Sequence, residues 1–221
     1  MLLDRKRVKF WQKWVFLFMA IVMGGFLIMI PLTQGKGCSG ATSSVTKQLD
    51  ADITKFEAQV KTDPTSVTGW IALGDAYQSR ANAQTPKSTA QNNDFAAAVV
   101  AYGKAAALLE KQKGAAAKQQ LLDTYQKMVS ADLTLKAYAA AVATYGQITL
   151  LTPKDASQFF DWASVATQAG DTSTALLAFT KYLQLAPNAP DAAQVRAWIK
   201  ANTPSTTPTA SSTPTPKPSS T

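Results

Sequence analysis

The stretch Trp70-Ile71-Ala72-Leu73-Gly74-Asp75-Ala76-Tyr77 decides the fold of this chain. A second pattern follows it, in which a small residue precedes an aromatic residue by four positions. It occurs three times, as Ala98 with Tyr102, Ala141 with Tyr145, and Ala175 with Phe179. In such pairs the small residue lets two helices approach closely, and the aromatic ring fills the space between turns. We therefore predict an all-α chain of paired helices.

Together the two patterns resemble the tetratricopeptide repeat (TPR) family. Trp70 to Tyr77 reproduces the first-helix signature W-x₂-L-G-x₂-Y, and the small–aromatic pairs resemble the second-helix signature. Pro153 and Pro187 each follow a second helix and lie 34 residues apart, which is the family's period. The resemblance covers roughly residues 50–200. It implies an antiparallel helix-pair solenoid of about three TPR units.

The three units follow the family pattern to different degrees. In the third unit the first-helix positions are held by Phe159, Trp162, Ala163 and Ala166. In the second, Leu122 replaces the glycine, and the long link from Tyr125 to Tyr138 indicates a lengthened helix or loop. In the first, the segment from Arg80 to Asn93 is rich in Gln, Asn, Thr and Ser. We interpret that segment as an inserted loop.

A solenoid also needs its two open ends covered. Val45 to Lys61 carries apolar residues at helical spacing, and Pro190 to Ala201 carries Val195, Trp198 and Ile199. We predict a flanking helix in each segment, so that the TPR domain spans residues 45–202. The Thr-, Ser- and Pro-rich segment 203–221 cannot bury enough apolar area to offset its ordering entropy, and we expect it to be disordered.

The N-terminal region predicts one transmembrane helix before the repeats. Residues 15–32 carry no charge and would form about 27 Å of helix, close to the thickness of the bilayer core. The basic residues lie before this run, so the positive-inside rule places residues 1–14 in the cytoplasm. The linker 33–44 and the TPR domain would then lie outside, on a bacterial cell membrane. A cleaved signal peptide and a lipidated Cys38 remain alternatives.

Composition argues against several classes of function. The chain has no histidine, which is the commonest general base and the commonest metal ligand. It has a single cysteine. No catalytic or phosphate-binding motif occurs. We expect no enzyme activity, no catalytic or metal-binding residues, no cofactor and no small-molecule substrate. The net charge of +8 is concentrated at the N-terminus rather than along the repeats, so we do not expect nucleic-acid binding.

The concave surface of the solenoid is the remaining candidate site. In TPR proteins the exposed face of each first helix lines this groove, and the resemblance places ten residues of this chain there. These are Ile71, Asp75 and Gln78 in the first unit, Gln119, Asp123, Gln126 and Lys127 in the second, and Phe160, Ser164 and Thr167 in the third. Some family members hold a partner's terminal carboxylate with lysine and asparagine, which this mixed groove does not favour. It suits an extended peptide or a partner helix.

The leading hypothesis is therefore a membrane-tethered TPR scaffold that mediates protein–protein interaction on the extracytoplasmic side. A narrower alternative is a cytochrome c maturation factor that holds apocytochrome, because a membrane span followed by TPR units also resembles such proteins. An envelope enzyme is the second alternative, which the missing motifs disfavour.

Overall fold

A computed structural model describes residues 39–203 of the chain. This part contains no β-strand and folds into helices joined by short turns, so the all-α prediction is confirmed. The helices are α1 (Ser39–Thr62), α2 (Val67–Ala83), α3 (Thr89–Leu109), α4 (Ala115–Thr134), α5 (Tyr138–Leu151), α6 (Ala156–Ala169), α7 (Thr172–Leu185) and α8 (Ala192–Asn202).

Short polar side chains and one glycine set several helix boundaries. Ser66, Ser88 and Asp171 precede α2, α3 and α7, and each side chain accepts a hydrogen bond from the backbone N–H three residues later. These bonds satisfy N–H groups that have no partner within the helix. Gly170 separates α6 from α7 at a φ of 76°, a conformation that strains residues with a Cβ atom. The chain therefore reverses at that point.

The helices stack in chain order. All the pairs that pack extensively in the described part are consecutive, from α2 against α3 to α7 against α8. This nearest-neighbour packing characterises a solenoid. The three units are α2 with α3, α4 with α5, and α6 with α7. The helices α1 and α8 flank them.

The small residues of the repeat pattern lie at the closest helix contacts. Ala98, Ala141 and Ala175 are completely buried. Gly74 meets the ring of Tyr102 so closely that a Cβ atom at Gly74 would lie 2.5 Å from the ring's Cε1 atom. The first unit therefore requires glycine at this position, because a contact of 2.5 Å cannot be accommodated without moving the buried ring.

The prediction of an inserted loop from Arg80 to Asn93 is wrong. Helix α2 continues to Ala83 and α3 begins at Thr89, which leaves a turn of only five residues. The Arg80 guanidinium donates from Nε and Nη2 to the two carboxylate oxygens of Asp94, at 2.8 and 2.7 Å. The polar composition therefore reflects a buried ion pair, a helix cap and exposed helix faces rather than a loop.

The end of α4 and the start of α1 can also be compared with the sequence prediction. The long link between Tyr125 and Tyr138 is a lengthened helix, because α4 runs to Thr134. Helix α1 begins at Ser39, within the segment expected to be a linker.

The predicted membrane anchor at residues 15–32 lies outside the described residues, as do Cys38 and the segment 204–221. Among the helices of residues 39–203, none combines the length and hydropathy needed to cross a membrane.

Candidate functional site

The ten predicted groove residues lie on α2, α4 and α6, the first helices of the three units. None of the ten is fully buried. Counted from the repeat signature, Asp75, Asp123 and Ser164 hold equivalent positions, and so do Gln78, Gln126 and Thr167. The structure brings some of these residues together in two places, which differ in character.

The first place is a polar cluster of Asp75, Gln78, Tyr102 and Lys127, here called the N-terminal cluster. The Lys127 ammonium donates to both carboxylate oxygens of Asp75, at 2.7 and 2.8 Å. The Tyr102 hydroxyl donates to Asp75 Oδ1 at 2.7 Å and contacts Gln78 Oε1 at 2.8 Å. Three predicted groove residues from two units therefore meet at one buried tyrosine.

The electrostatics of the N-terminal cluster favour its internal bonds. Burial, with the hydrogen bond from the hydroxyl to Asp75 and the charge of that carboxylate, raises the pKa of Tyr102 above its ordinary value. The tyrosine therefore stays a neutral donor. The Lys127 ammonium also lies 5.8 Å from the centre of the Tyr102 ring, within the range of a cation–π contact. A ligand at this place would have to displace charge-assisted hydrogen bonds, which are the stronger kind.

The middle of the groove consists of exposed polar side chains. Gln119 donates its amide N–H to Asp123 Oδ1 at 2.8 Å, one turn along α4, and Gln126 is exposed on the same helix. Ile71, predicted as an apolar contact for a ligand, is half-buried against the core that includes Leu121. This stretch of the groove therefore offers hydrogen-bonding groups but little free apolar surface.

The second place is a pocket between α6, α7 and α8, here called the C-terminal pocket. Its volume is about 300 Å³, and its lining includes all three groove residues predicted in the third unit, Phe160, Ser164 and Thr167. The remaining lining residues are Phe179, Asp191, Gln194, Val195 and Trp198, which the groove prediction did not include.

Aromatic rings form the walls of the C-terminal pocket. The Phe160 and Phe179 rings meet edge to face with centroids 5.8 Å apart, and the Phe179 and Trp198 centroids lie 5.0 Å apart. Such offset and edge contacts stabilise a fixed arrangement of rings. The pocket is therefore bounded by side chains that hold one another in place.

The hydroxyl groups in the C-terminal pocket are already hydrogen-bonded. Ser164 donates to the carbonyl of Phe160 at 2.8 Å, and Thr167 donates to the carbonyl of Ala163 at 2.9 Å. Both bonds run back one turn along α6, which is the usual arrangement for these residues inside a helix. Neither hydroxyl therefore needs a hydrogen-bond acceptor from a ligand, and the lining of the pocket is largely apolar.

Asp191 provides the negative charge of this pocket. Its Oδ1 atom accepts a hydrogen bond from the hydroxyl of Tyr182. That bond is the main cause that raises the pKa of Tyr182 to about 12, so the tyrosine remains a neutral donor. A cation bound beside the pocket would find a counter-charge there.

Sequence reasoning missed the contribution of α8. This helix was predicted only to cover the end of the stack, and Phe179 only to fill the core. One signal was present: Asp191, Val195 and Trp198 recur at helical spacing and so share one face of α8. Helix α8 follows the third unit in the position that the first helix of a fourth unit would take. Its face with Asp191, Val195 and Trp198 therefore adds to the lining of the pocket.

No group of three or more His, Cys, Asp or Glu side chains in residues 39–203 is arranged to hold a metal ion. The contacts that the ten predicted groove residues make include hydrogen bonds, an ion pair and apolar packing.

Comparison with known proteins identifies the repeat in the C-terminal half of the chain. Residues 131–200 match the family model for the tetratricopeptide repeat, and this range contains the whole C-terminal pocket. The repeat prediction is confirmed for this segment. No curated protein matches the chain.

Two solved structures resemble the chain only distantly. The MamA protein is 18% identical, with a TM-score of 0.45, and the alignment covers 74% of this chain and 78% of that one. The APC/C hetero-tetramer Cut9-Hcn1 is 16% identical, with a TM-score of 0.38, and the alignment covers 72% of this chain and 40% of that one.

Proposed function

We propose that this chain is a membrane-tethered scaffold whose helix-pair solenoid binds a protein partner on the extracytoplasmic side of a bacterial membrane. TPR units are generally protein-interaction modules, and the matched segment 131–200 supports that class of function. The tether and its orientation rest on the uncharged run 15–32 and the basic residues before it.

The observation that carries the proposal is the C-terminal pocket. Its volume of about 300 Å³ and its aromatic walls suit a large apolar side chain of a partner. Binding energy at protein interfaces is concentrated where such anchors fill well-packed pockets. Asp191 adds a charge beside the apolar walls. The favoured ligand is therefore an extended or helical segment with a large apolar residue next to a lysine or arginine.

The middle of the groove would then guide the rest of the segment. Gln119, Asp123 and Gln126 are exposed on α4 and can exchange hydrogen bonds with a peptide backbone. The N-terminal cluster would contribute little, because Asp75 and Lys127 already bind each other.

A pocket-filling variant tests the proposal by affinity capture from the host envelope. Ser164→Trp places a large ring in the pocket, and we expect it to weaken capture of the wild-type partner at least about tenfold, equivalent to about 1.4 kcal/mol. Asp123→Trp, at the equivalent exposed position of the second unit, tests the middle of the groove and should weaken capture less than Ser164→Trp does. Circular dichroism must show that both variants are folded.

The outcomes separate the possible binding surfaces. Loss of capture by Asp123→Trp alone would move the principal site to the middle of the groove. Unchanged capture by both variants would place the site elsewhere on the chain. An apocytochrome as the captured protein would support the narrower alternative function.

A separate experiment tests the tether. Protease added to intact spheroplasts should remove the repeats and leave a short stub in the membrane. Protected repeats would contradict the proposed orientation.

A further inference from the structure

A second apolar surface lies along the junction of α7 and α8, on a different side of α8 from the C-terminal pocket. It consists of two adjoining hollows of about 550 and 420 Å³, which share Thr180, Gln184 and Ile199. The apolar part of their lining includes Leu176, Leu177, Leu183 and Ile199. We call this surface the α7–α8 seam.

Leu177 is unusually exposed for a large apolar residue that lines a hollow. Its relative exposure is 59%, close to the 61% of Val100, which holds the equivalent position in the first unit. Val100 lines neither hollow, whereas Leu177 adjoins Leu176 and Ile199 in the larger one. Contiguous exposed apolar surface marks interaction sites, while single exposed apolar residues are common on any protein.

Helix α8 is uncovered on the side where the other first helices are covered. In the described part, α2, α4 and α6 each pack against the second helix of their own unit, and α8 packs extensively only against α7, which precedes it. Arg196 and Lys200 lie 34 residues, one repeat, after Trp162 and Ala166. Trp162 packs against the core of the third unit, and Ala166 is completely buried. Arg196 and Lys200 are instead exposed, so the place of a second helix is open.

Opposite charges lie on the two sides of α8. Residues 172–203 carry four charged side chains. The three cations among them, Lys181, Arg196 and Lys200, line the seam, and none of the described acidic residues does. The one acid, Asp191, lines the C-terminal pocket. An occupant of the seam therefore has to combine apolar side chains with negative charge, the reverse of the charge favoured at the pocket.

Two other occupants fit the seam less well. A second copy of the chain would bring α1, the helix at the other end of the solenoid, whose exposed residues include Lys47, Lys55 and Lys61. The α1 acids Asp50 and Glu57 are already bound by side chains of α2. Like charges therefore oppose an end-to-end contact. An anionic lipid surface would attract the three cations of the seam, but a planar surface does not fill a hollow between two helices.

We propose that the α7–α8 seam is a second docking site, which binds an acidic amphipathic helix of a partner where a fourth unit would have its second helix. The apolar stripe of the bound helix covers Leu177 and Ile199, and its acidic residues pair with Lys181, Arg196 and Lys200. Helices that bind in grooves present apolar residues at i, i+3, i+4 and i+7. The seam is separate from the C-terminal pocket, so the two sites can be occupied at once by partners of opposite charge.

Two designed peptides test the proposal with the full chain reconstituted in phosphatidylcholine nanodiscs. Each peptide has 14 residues, the length of α5 and α7, with leucines at i, i+3, i+4 and i+7 spacing. One carries glutamate beside the leucine stripe, and the other carries lysine at the same positions. Fluorescence anisotropy of the labelled peptides measures binding, with empty nanodiscs as the baseline. We expect the acidic peptide to bind at least about tenfold more tightly than the basic one.

Reversing the charge of the seam should reverse this preference. In the double variant Lys181→Glu with Lys200→Glu, we expect the basic peptide to bind about tenfold more tightly than the acidic one. A misfolded protein would not give such a reversal. Lys104→Glu, at the position of the first unit equivalent to Lys181, is the matched control and should leave the preference for the acidic peptide unchanged.

The apolar contact is tested in the same assay. Leu177→Asp should weaken binding of the acidic peptide at least about tenfold, because it removes apolar area and adds a like charge. Val100→Asp, at the equivalent position of the first unit, should leave the affinity unchanged. Circular dichroism must show that both variants are folded.

Several outcomes would overturn the proposal. These are no binding of the acidic peptide, equal binding of both peptides by the wild-type chain, and equal effects of Leu177→Asp and Val100→Asp. A fluorophore on Gln184→Cys, in a Cys38→Ser background, reports on the lipid alternative. A blue shift of its emission in nanodiscs that contain phosphatidylglycerol, without a shift on addition of the acidic peptide, would assign the seam to the lipid surface instead.

Discussion

The first and third units build opposite kinds of surface from equivalent positions. Tyr102 and Phe179 are the aromatic residues of their second helices. Asp75 on the first helix of the first unit binds Tyr102, and Ser164 at the equivalent position of the third unit lines the same pocket as Phe179. In the first unit the Tyr102 hydroxyl binds Asp75, which in turn binds Lys127. In the third unit Phe179 lacks a hydroxyl, and a pocket lies at the corresponding place.

This difference shows how one oxygen atom can decide the use of a groove. A buried tyrosine hydroxyl needs a hydrogen-bond partner, and the carboxylate that serves it draws in a cation from the next unit. A phenylalanine makes no such demand, so Ser164 and Thr167 bind carbonyls of their own helix instead. In the first unit, Asp75 therefore bonds to other side chains of the protein. In the third unit, Ser164 and Thr167 line an open pocket.

The largest effect on stability should come from the ion pair of Arg80 and Asp94, which joins α2 to α3 in the first unit. The side chain of Asp94 is 7% exposed and binds both Arg80 and Gln84. Asp94→Ala leaves the guanidinium without its main partner, and we expect the free energy of unfolding to fall by about 3 kcal/mol. Asp123→Ala, at an exposed site, should change it by less than about 0.5 kcal/mol. Urea unfolding followed by circular dichroism measures both, and similar losses would contradict the assignment.

Asp132 sharpens the comparison because it is a buried carboxylate, and within residues 39–203 no ion pair like that of Asp94 involves it. It is 3% exposed, and burial raises its pKa to about 6. Since the native pKa exceeds the unfolded value of about 3.9, ionisation costs native stability. The protein should therefore lose about 2 kcal/mol of stability as the pH rises from about 4 to 6. Asp132→Asn should flatten that part of the profile; an unchanged profile would exclude Asp132 as the cause.

The sequence was sufficient to predict the helix pairs because their determinants are local. A small residue four positions before an aromatic one specifies a close helix contact, and the pattern recurs in every unit. The segment 80–93 could not be predicted in the same way. Its polar residues have the composition of a loop, and only the packing of α2 against α3 brings Arg80 to Asp94.

Part of the candidate site could likewise be predicted from local sequence, and part of it depends on how the helices pack. Phe160, Ser164 and Thr167 could be predicted to share one face of α6, because their register on that helix follows from the repeat. The pocket they share with Val195 and Trp198 depends on how α8 packs against α6 and α7, which no local pattern specifies.

A substitution at Gly74 tests whether the Tyr102 ring is held rigidly between α2 and α3. Gly74→Ala would place a Cβ atom 2.5 Å from the Tyr102 ring. Overpacking costs about 1–3 kcal/mol, which the usual gain from replacing a helical glycine only partly offsets. We expect a net loss of about 1–2 kcal/mol. Gly146→Ala, whose Cβ would lie 3.6 Å from Trp162, should be neutral or stabilising in the same unfolding measurement. Equal effects would mean that the ring can move aside.

Exchanging the two aromatic residues tests the comparison directly. Tyr102→Phe removes one buried hydrogen bond to Asp75 and should cost about 1 kcal/mol of stability. Phe179→Tyr adds a hydroxyl where the position equivalent to Asp75 holds Ser164 rather than a carboxylate, and it should also destabilise the protein. Adding Ser164→Asp should recover part of that loss, because it recreates the acceptor of the first unit. A double-mutant cycle measures this coupling, and additive effects would show that the hydroxyl does not recruit the acid.

The smallest effect should come from Ser164 itself. Its hydroxyl binds only the carbonyl of Phe160 on the same helix, a bond that contributes little where the backbone bond is also made. Alanine has the higher helix propensity, so Ser164→Ala should change the free energy of unfolding by less than about 0.5 kcal/mol, with a gain more expected than a loss. Asp75→Ala, at the equivalent position of the first unit, should instead cost about 1–3 kcal/mol, because it removes the carboxylate that binds both the Tyr102 hydroxyl and the Lys127 ammonium and leaves that hydroxyl only Gln78 Oε1. Parallel unfolding curves of the two variants measure the difference. If Ser164→Ala were as damaging as Asp75→Ala, the serine would belong to a cohesive network, and the pocket would not be free for a ligand.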